Sequence, residues 1–270
     1  VAAGGARTEI LAAAEPQREG ECSTAVHVPA TGAAETIQTW DWHAALVPFG
    51  LLLDYAPAAG RRAKLFTEFG TAAKIGANSA GLGLHFNILS HRQDSAAGGV
   101  PVHAIARRII DEADSVDDAI ALASSAAVSA STVFTVTERG DDRRAPRAAS
   151  IEVSPAGVAV VAPAVDGWLL HTNHFLDEGL AAGDTMPADS TTAERYAHLA
   201  AVRSGMTGLD PLERAAAMCG GDGPDAAVCM RPELDKPCHE QWETLLTIGI
   251  DADSLHLDVH PGTPADAARH

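Results

Sequence analysis

The chain has 270 residues, a formal net charge of −17 and 46% hydrophobic residues, of which few are aromatic. That is enough apolar material for one large core or two small ones. The acidic surface it implies repels nucleic-acid backbones and anionic membranes, so neither is expected as a partner. No run approaches the roughly 18 apolar residues of a membrane-spanning helix, and no signal peptide is visible. The four cysteines (Cys22, Cys219, Cys229, Cys238) lack the CxxC spacing of zinc sites. They read as reduced thiols in a cytoplasmic protein, with one disulfide among the last three as the alternative. Because the chain opens on Val1, it is read as a processed or truncated form.

In chain order, residues 1–14 predict an Ala-rich helix and residues 15–21 an exposed polar loop. From Cys22 the pattern turns to strands: Cys22–Pro29 alternates, and Glu35–Trp42 mixes β-branched and aromatic residues. Residues 45–55, 63–69, 72–77 and 82–89 are short apolar runs punctuated by Gly and Pro. Residues 102–113 place Val102, Ile105, Ala106, Ile109 and Ile110 at helical spacing. Ser115 is a candidate N-cap for the next helix, with Asp117 and Asp118 in its first turn. Strands resume at 131–137, 151–153, 157–162 and 168–173, helices at 191–204 and 211–219, and a closing hairpin joins 244–250 to 255–259. Strands and helices segregate, which predicts an α+β fold with antiparallel sheets. No GxGxxG or P-loop motif is present.

Cys22 sits where a polar loop meets an apolar strand, followed by Ser23 and Thr24. By itself such a thiol reads as inert and half-buried. Its surroundings change that. Gly20-Glu21-Cys22-Ser23-Thr24-Ala25, Thr39-Trp40-Asp41-Trp42, Gly76-Ala77-Asn78-Ser79-Ala80-Gly81-Leu82 and His171-Thr172-Asn173-His174 occur in that order. Together they resemble the penicillin acyltransferase family, the acyl-coenzyme A:6-aminopenicillanic acid acyltransferases, over nearly the whole chain.

The resemblance implies a four-layer αββα sandwich of the N-terminal-nucleophile type, in which the chain cuts itself between Glu21 and Cys22. Residues 1–21 would then be the end of a pro-segment or α-subunit, and residues 22–270 the catalytic β-subunit. The new α-amine, with a reference pKa of about 7.7–8.0, serves as base for its own thiol. The resemblance assigns Cys22, Asp41 and Asn173 to catalysis: Asp41 orients the amine and Asn173 donates to the oxyanion. It assigns Asn78, Trp42, His174 and Gln241 to substrate binding; Asn78 reads equally as a turn residue at a tight β-connection, where Asn and Gly are common, or as a holder of the amine. Gln241 stands where the family has an arginine, which motivates an inactive acyl-ligand-binding relative as one alternative.

The leading expectation is a linear-amide hydrolase working through a Cys22 thioester. The other alternative is a coenzyme A-dependent N-acyltransferase. Expected partners are a small-molecule amide or acyl donor and the chain's own α-subunit. No cofactor or metal is expected, and a coenzyme A thioester enters only as a substrate.

Overall fold

The computed structural model describes residues 21–140, 144–187, 190–237 and 241–269; the helix expected over residues 1–14 lies outside them. Two antiparallel sheets form the centre. The first contains β1 (Glu21–His27), β2 (Glu35–His43), β10 (Trp168–His171), β11 (Trp242–Asp251) and β12 (His256–Pro261), in the order β10-β1-β2-β11-β12. The second is a seven-stranded meander: β3 (Gly50–Tyr55), β4 (Ala63–Glu68), β5 (Ile75–Asn78), β6 (Leu82–Ile88), β7 (Thr132–Glu138), β8 (Arg147–Ser154) and β9 (Gly157–Val161).

Each sheet carries helices on its outer face. Helix α1 (Val102–Glu112) buries Ile105, Ala106, Ile109 and Ile110 against Leu82, Leu84, Phe134 and Ile151 of the seven-stranded sheet. Each large aliphatic buried there contributes about 2 kcal/mol. Helix α2 (Val116–Ser124) starts as its sequence predicts, with the Ser115 hydroxyl accepting from the Asp118 N–H at 3.1 Å. The short α3 (Glu178–Ala181) packs Leu180 with Leu89, Val133 and Phe175, and on the five-stranded side lie α4 (Thr192–Val202), α5 (Pro211–Cys219) and α6 (Pro264–Ala267). Helix α5 begins with a capping box between Asp210 and Glu213 and with Pro211 in its first turn, where a missing N–H does no harm. Leu199, Ala215, Met218 and Cys219 pack on Ala25, Ile37 and Trp168. The layering is the expected αββα sandwich.

The run 45–55 is not one strand. Residues Ala44–Phe49 form a 3₁₀ turn and the strand starts only at Gly50, because Pro48 has no N–H to give to a ladder. The space between the sheets is mixed. An apolar part joins Cys22, Trp40, Leu245, Ile248 and Ile250 to Phe66, Ile75 and Ala77. A polar part holds the Thr24 hydroxyl on Asn87 Oδ1 at 2.7 Å and Gln38 Nε2 on the Phe86 carbonyl at 2.6 Å. A buried His171–Glu152 contact of 2.9 Å ties β10 to β8. These bonds satisfy groups that would otherwise be stranded without water, and they fix how one sheet sits on the other. The option of a disulfide is not realised between Cys219 and Cys229: both are free thiols, 3.6 Å apart, and Cys238 lies outside the described residues.

Candidate active site

Strand β1 begins at Glu21, so Cys22 is held in the sheet from its first residues, with Glu21 opposite Asp41 and Cys22 opposite Trp40. Pairing with β10 on the other side starts only at Thr24. The backbone of Cys22 is therefore left to side chains from elsewhere. Its N–H donates to Asn173 Oδ1 at 2.8 Å. Its carbonyl accepts from Arg195 Nη1 at 2.6 Å and from Asn87 Nδ2 at 3.1 Å. Arg195 also reaches Ser23 Oγ at 2.9 Å and Asn173 Oδ1 at 3.0 Å. Such charge-assisted bonds are stronger than neutral ones, and they pin the residue at the head of the strand.

Cys22 is only 3% exposed. Burial, reinforced by the nearby Asp41 carboxylate, pushes its thiol up to about 12, although the Asp41 N–H donating to the sulfur and the charges of Lys74 and Arg195 act the other way. In this environment the Cys22 thiol is protonated at neutral pH. Asp41 is fully buried, and Oδ1 is without a hydrogen-bond partner. Burial raises its carboxyl to about 7, against the opposing pull of Arg195 and the hydroxyls of Thr244 and Thr39. A carboxyl tuned near neutrality beside a thiol is the kind of group that takes and returns protons.

The expected residues divide into two groups. Cys22, Asp41, Asn173 and Glu21 come together around one backbone position. Trp42 borders the same apolar cluster as Cys22, stacked edge-on to Trp242 at 5.4 Å and beneath Lys74 Nζ at 5.0 Å. Lys74 in turn pairs with Glu68 at 2.5 Å in a nearly closed environment.

Asn78 does not join this cluster. Its Nδ2 donates to the carbonyls of Ile110 and Ala113 at 3.0 and 2.8 Å, and its Oδ1 accepts from the N–H groups of Ala80 and Leu82. It closes the C-terminal end of α1 and the turn before β6, where Gly81 takes a φ of 92°. That is a structural use of the Asn-Ser-Ala-Gly motif, in line with Asn78 read as a turn residue. Gln241 gives its amide to the Lys236 carbonyl at 2.8 Å. His174 sits one step behind Asn173, its Nδ1 against the hydroxyls of Thr172 and Thr192 at 3.2 and 3.0 Å.

Both ends of the Asn173 amide are engaged by the protein. Nδ2 donates to the Ile88 carbonyl at 2.9 Å, while Oδ1 faces two donors, Cys22 N and Arg195 Nη2. These partners favour this orientation of the amide. The oxygen faces the Cys22 nitrogen, and the expected donation to an oxyanion concerns the nitrogen end of the same amide.

Two members of the cluster escaped the sequence reading. Arg195 lies on the buried face of α4 with Thr192 and Leu199, and an arginine in an apolar stripe was the available signal. Asn87 is, with His85, one of two buried polar residues in the mostly apolar run of β6. Among the described residues no group of three His, Cys, Asp or Glu is placed to hold a metal ion, and no helix is long and apolar enough to cross a membrane.

Comparison with known proteins bears on the fold and the family. In fold, the chain is similar to penicillin V acylase from Agrobacterium tumefaciens, with a TM-score of 0.59 at 12% identity over 89% of this chain and 83% of that one. It is also similar to the Caenorhabditis elegans ortholog of N-acylethanolamine-hydrolyzing acid amidase, with a TM-score of 0.55 at 10% identity over 86% and 93%. In sequence it is 26% identical over 203 residues to the 40 kDa form of acyl-coenzyme A:6-aminopenicillanic-acid-acyltransferase from Emericella nidulans. That match takes in 75% of this chain and 54% of the relative, so the chain spans about half the length of the curated relative it matches. The family model described as acyl-coenzyme A:6-aminopenicillanic acid acyl-transferase matches residues 32–265, which include Asp41, Asn173 and Arg195, with Cys22 just ahead of its first matched residue. The chain belongs to the acyl-coenzyme A:6-aminopenicillanic acid acyltransferase family.

Proposed function

We propose that this protein is a self-processing cysteine amidohydrolase in which Cys22 first cuts the chain and then carries the acyl group of a small-molecule amide. The observation that carries the reading is the set of side chains gathered on the Cys22 backbone: Asn173 Oδ1 on its nitrogen, and Arg195 and Asn87 on its carbonyl. A structural cysteine has no need of such a frame around its own peptide groups. A cysteine whose nitrogen must end as a free amine beside its thiol does.

In self-cleavage the Cys22 sulfur attacks the Glu21 carbonyl carbon, and its proton passes to Asp41, the neighbouring carboxyl with an affinity near neutrality. The carbon–nitrogen bond then breaks, the nitrogen takes a proton, and Glu21 is left as a thioester on Cys22. Water opens the thioester, leaving a carboxylate on Glu21 and a free thiol and amine on Cys22. The same residue then works on substrate. Its amine takes the thiol proton, an acyl thioester forms, the amine product leaves and water completes the cycle. Apart from water and the substrate, every group in this scheme is supplied by the chain, so it calls for no cofactor. Residues 22 onward form the catalytic subunit and those before it a pro-segment. Near-complete burial of the thiol before cleavage supports a zymogen.

Mass spectrometry of the purified protein tests the reading: a polypeptide beginning at Cys22 is expected, and Cys22→Ala is expected to remain uncut. An intact chain that stays full length on prolonged incubation, or one that turns over amides without being cut, would overturn it. The family's description favours a second reading, transfer of an acyl group from a coenzyme A thioester to an amine. Product formation that requires an amine acceptor, with no hydrolysis in its absence, would select it.

A further inference from the structure

The residue just before the proposed cut is held as firmly as the nucleophile. The Glu21 carboxylate accepts from Ser190 Oγ at 2.6 Å, from Thr191 Oγ1 at 2.6 Å and from the Thr191 N–H at 3.3 Å, and it pairs with Arg195 Nη2 at 3.3 Å. Arg195 Nε braces the Thr191 hydroxyl at 3.0 Å. The Arg195 side chain is fully buried and that of Glu21 is 13% exposed. Two hydroxyls, a backbone N–H and a guanidinium thus converge on one carboxylate in a protein of net charge −17.

We propose that Ser190, Thr191 and Arg195 form a carboxylate subsite on the acyl side of Cys22, filled by the Glu21 side chain before self-cleavage and by an acidic acyl group of the substrate afterwards. The inference rests on the self-cleavage reading above. Its chemical basis is that the self-cleavage intermediate, Glu21 esterified to the Cys22 sulfur, is itself an acyl-enzyme. A site that holds that species while water attacks it also holds any acyl group of the same shape and charge. The fitting class is an amide whose acyl part bears a carboxylate at the reach of a glutamyl side chain, as in a glutaryl amide.

Departure of Glu21 strengthens the case. It leaves a buried guanidinium with one counter-charge fewer and two hydroxyls without their acceptor, a vacancy that favours an anion. Asp41 remains in electrostatic reach of Arg195 but does not replace the bonds to Ser190 and Thr191.

The test uses self-processed wild-type protein. Glutarate should protect Cys22 from alkylation by iodoacetamide at a concentration at least tenfold lower than pentanoate, its uncharged-tail counterpart. Glutaryl p-nitroanilide should be hydrolysed with a kcat/KM at least tenfold above that of pentanoyl p-nitroanilide. In the Ser190→Ala/Thr191→Val double variant that preference should collapse toward unity. Equal protection by the two acids, or a preference for the pentanoyl anilide, would overturn the subsite while leaving self-cleavage standing. A chain that is never cut at Cys22 would instead remove the reading beneath it, and the subsite with it.

Discussion

Replacing Asp41 by asparagine should stabilise the uncut protein, and by an amount that grows with pH. The Asp41 carboxyl is fully buried, and burial lifts it from an ordinary 3.8 to about 7. At about 1.4 kcal/mol for each tenfold change in proton affinity, the charged form is disfavoured on folding by about 4 kcal/mol. The sign follows from proton uptake. Between 3.8 and about 7 the folded chain keeps the proton and the unfolded chain has lost it, so stability from this group is whole below pH 4 and drains away as pH rises through about 7.

Urea unfolding at a series of pH values from 4 to 8, with Cys22→Ala as background to keep the chain intact, measures this. The background should lose stability relative to the Asp41→Asn double variant by roughly 1.4 kcal/mol per pH unit between pH 4 and about 7, and the difference should level off above that. Buried histidines such as His85 and His103, whose affinities burial lowers, tilt both profiles alike and cancel in the difference. Two parallel profiles would refute the account of Asp41 as a buried carboxyl titrating near neutrality.

Two further outcomes are expected. Asn173→Ala removes the acceptor on Cys22 N and leaves Arg195 Nη2 short of a partner. Self-cleavage, followed as band loss on a gel, should slow by roughly thirtyfold, for a loss of about 2 kcal/mol in charge-assisted bonding. Asn78→Ala deletes two buried bonds to the end of α1 and should lower unfolding free energy by about 2 kcal/mol. Because that amide lies outside the cluster on Cys22, kcat of the processed variant should hold near wild type in an anilide assay; a collapse in kcat with unchanged stability would restore Asn78 to the substrate site.

Much of the layered architecture could be read from local pattern. The alternating run from Cys22 gave β1, the β-branched and aromatic residues of Glu35–Trp42 gave β2, and the helical spacing of Ile105, Ala106, Ile109 and Ile110 gave α1 together with the face it buries. Ser115 marked the start of α2 through chemistry that acts within a few residues. What stayed hidden is contact between distant parts of the chain. Arg195 and Cys22 are 173 positions apart, and Asn87 and Cys22 are 65 apart, so no spacing rule links them. The use of Asn78 depended on where a helix about thirty residues later would end. The orientation of Asn173 was set by Ile88 and Arg195, one in each of two other elements. Motif resemblance located these side chains; their partners determined what each one does.

The proposed break falls at the first rung of the β1 ladder. Everything from Cys22 to His27 stays paired with β2, and the β10 pairing begins two residues further on. Severing the chain there frees a single rung, Glu21 with Asp41, and unzips nothing else. The remainder of the two sheets can therefore persist through maturation as one cooperative body, much as a seam opened at its hem leaves the cloth whole, and a newly made amine can appear in a framework that has no need to refold around it.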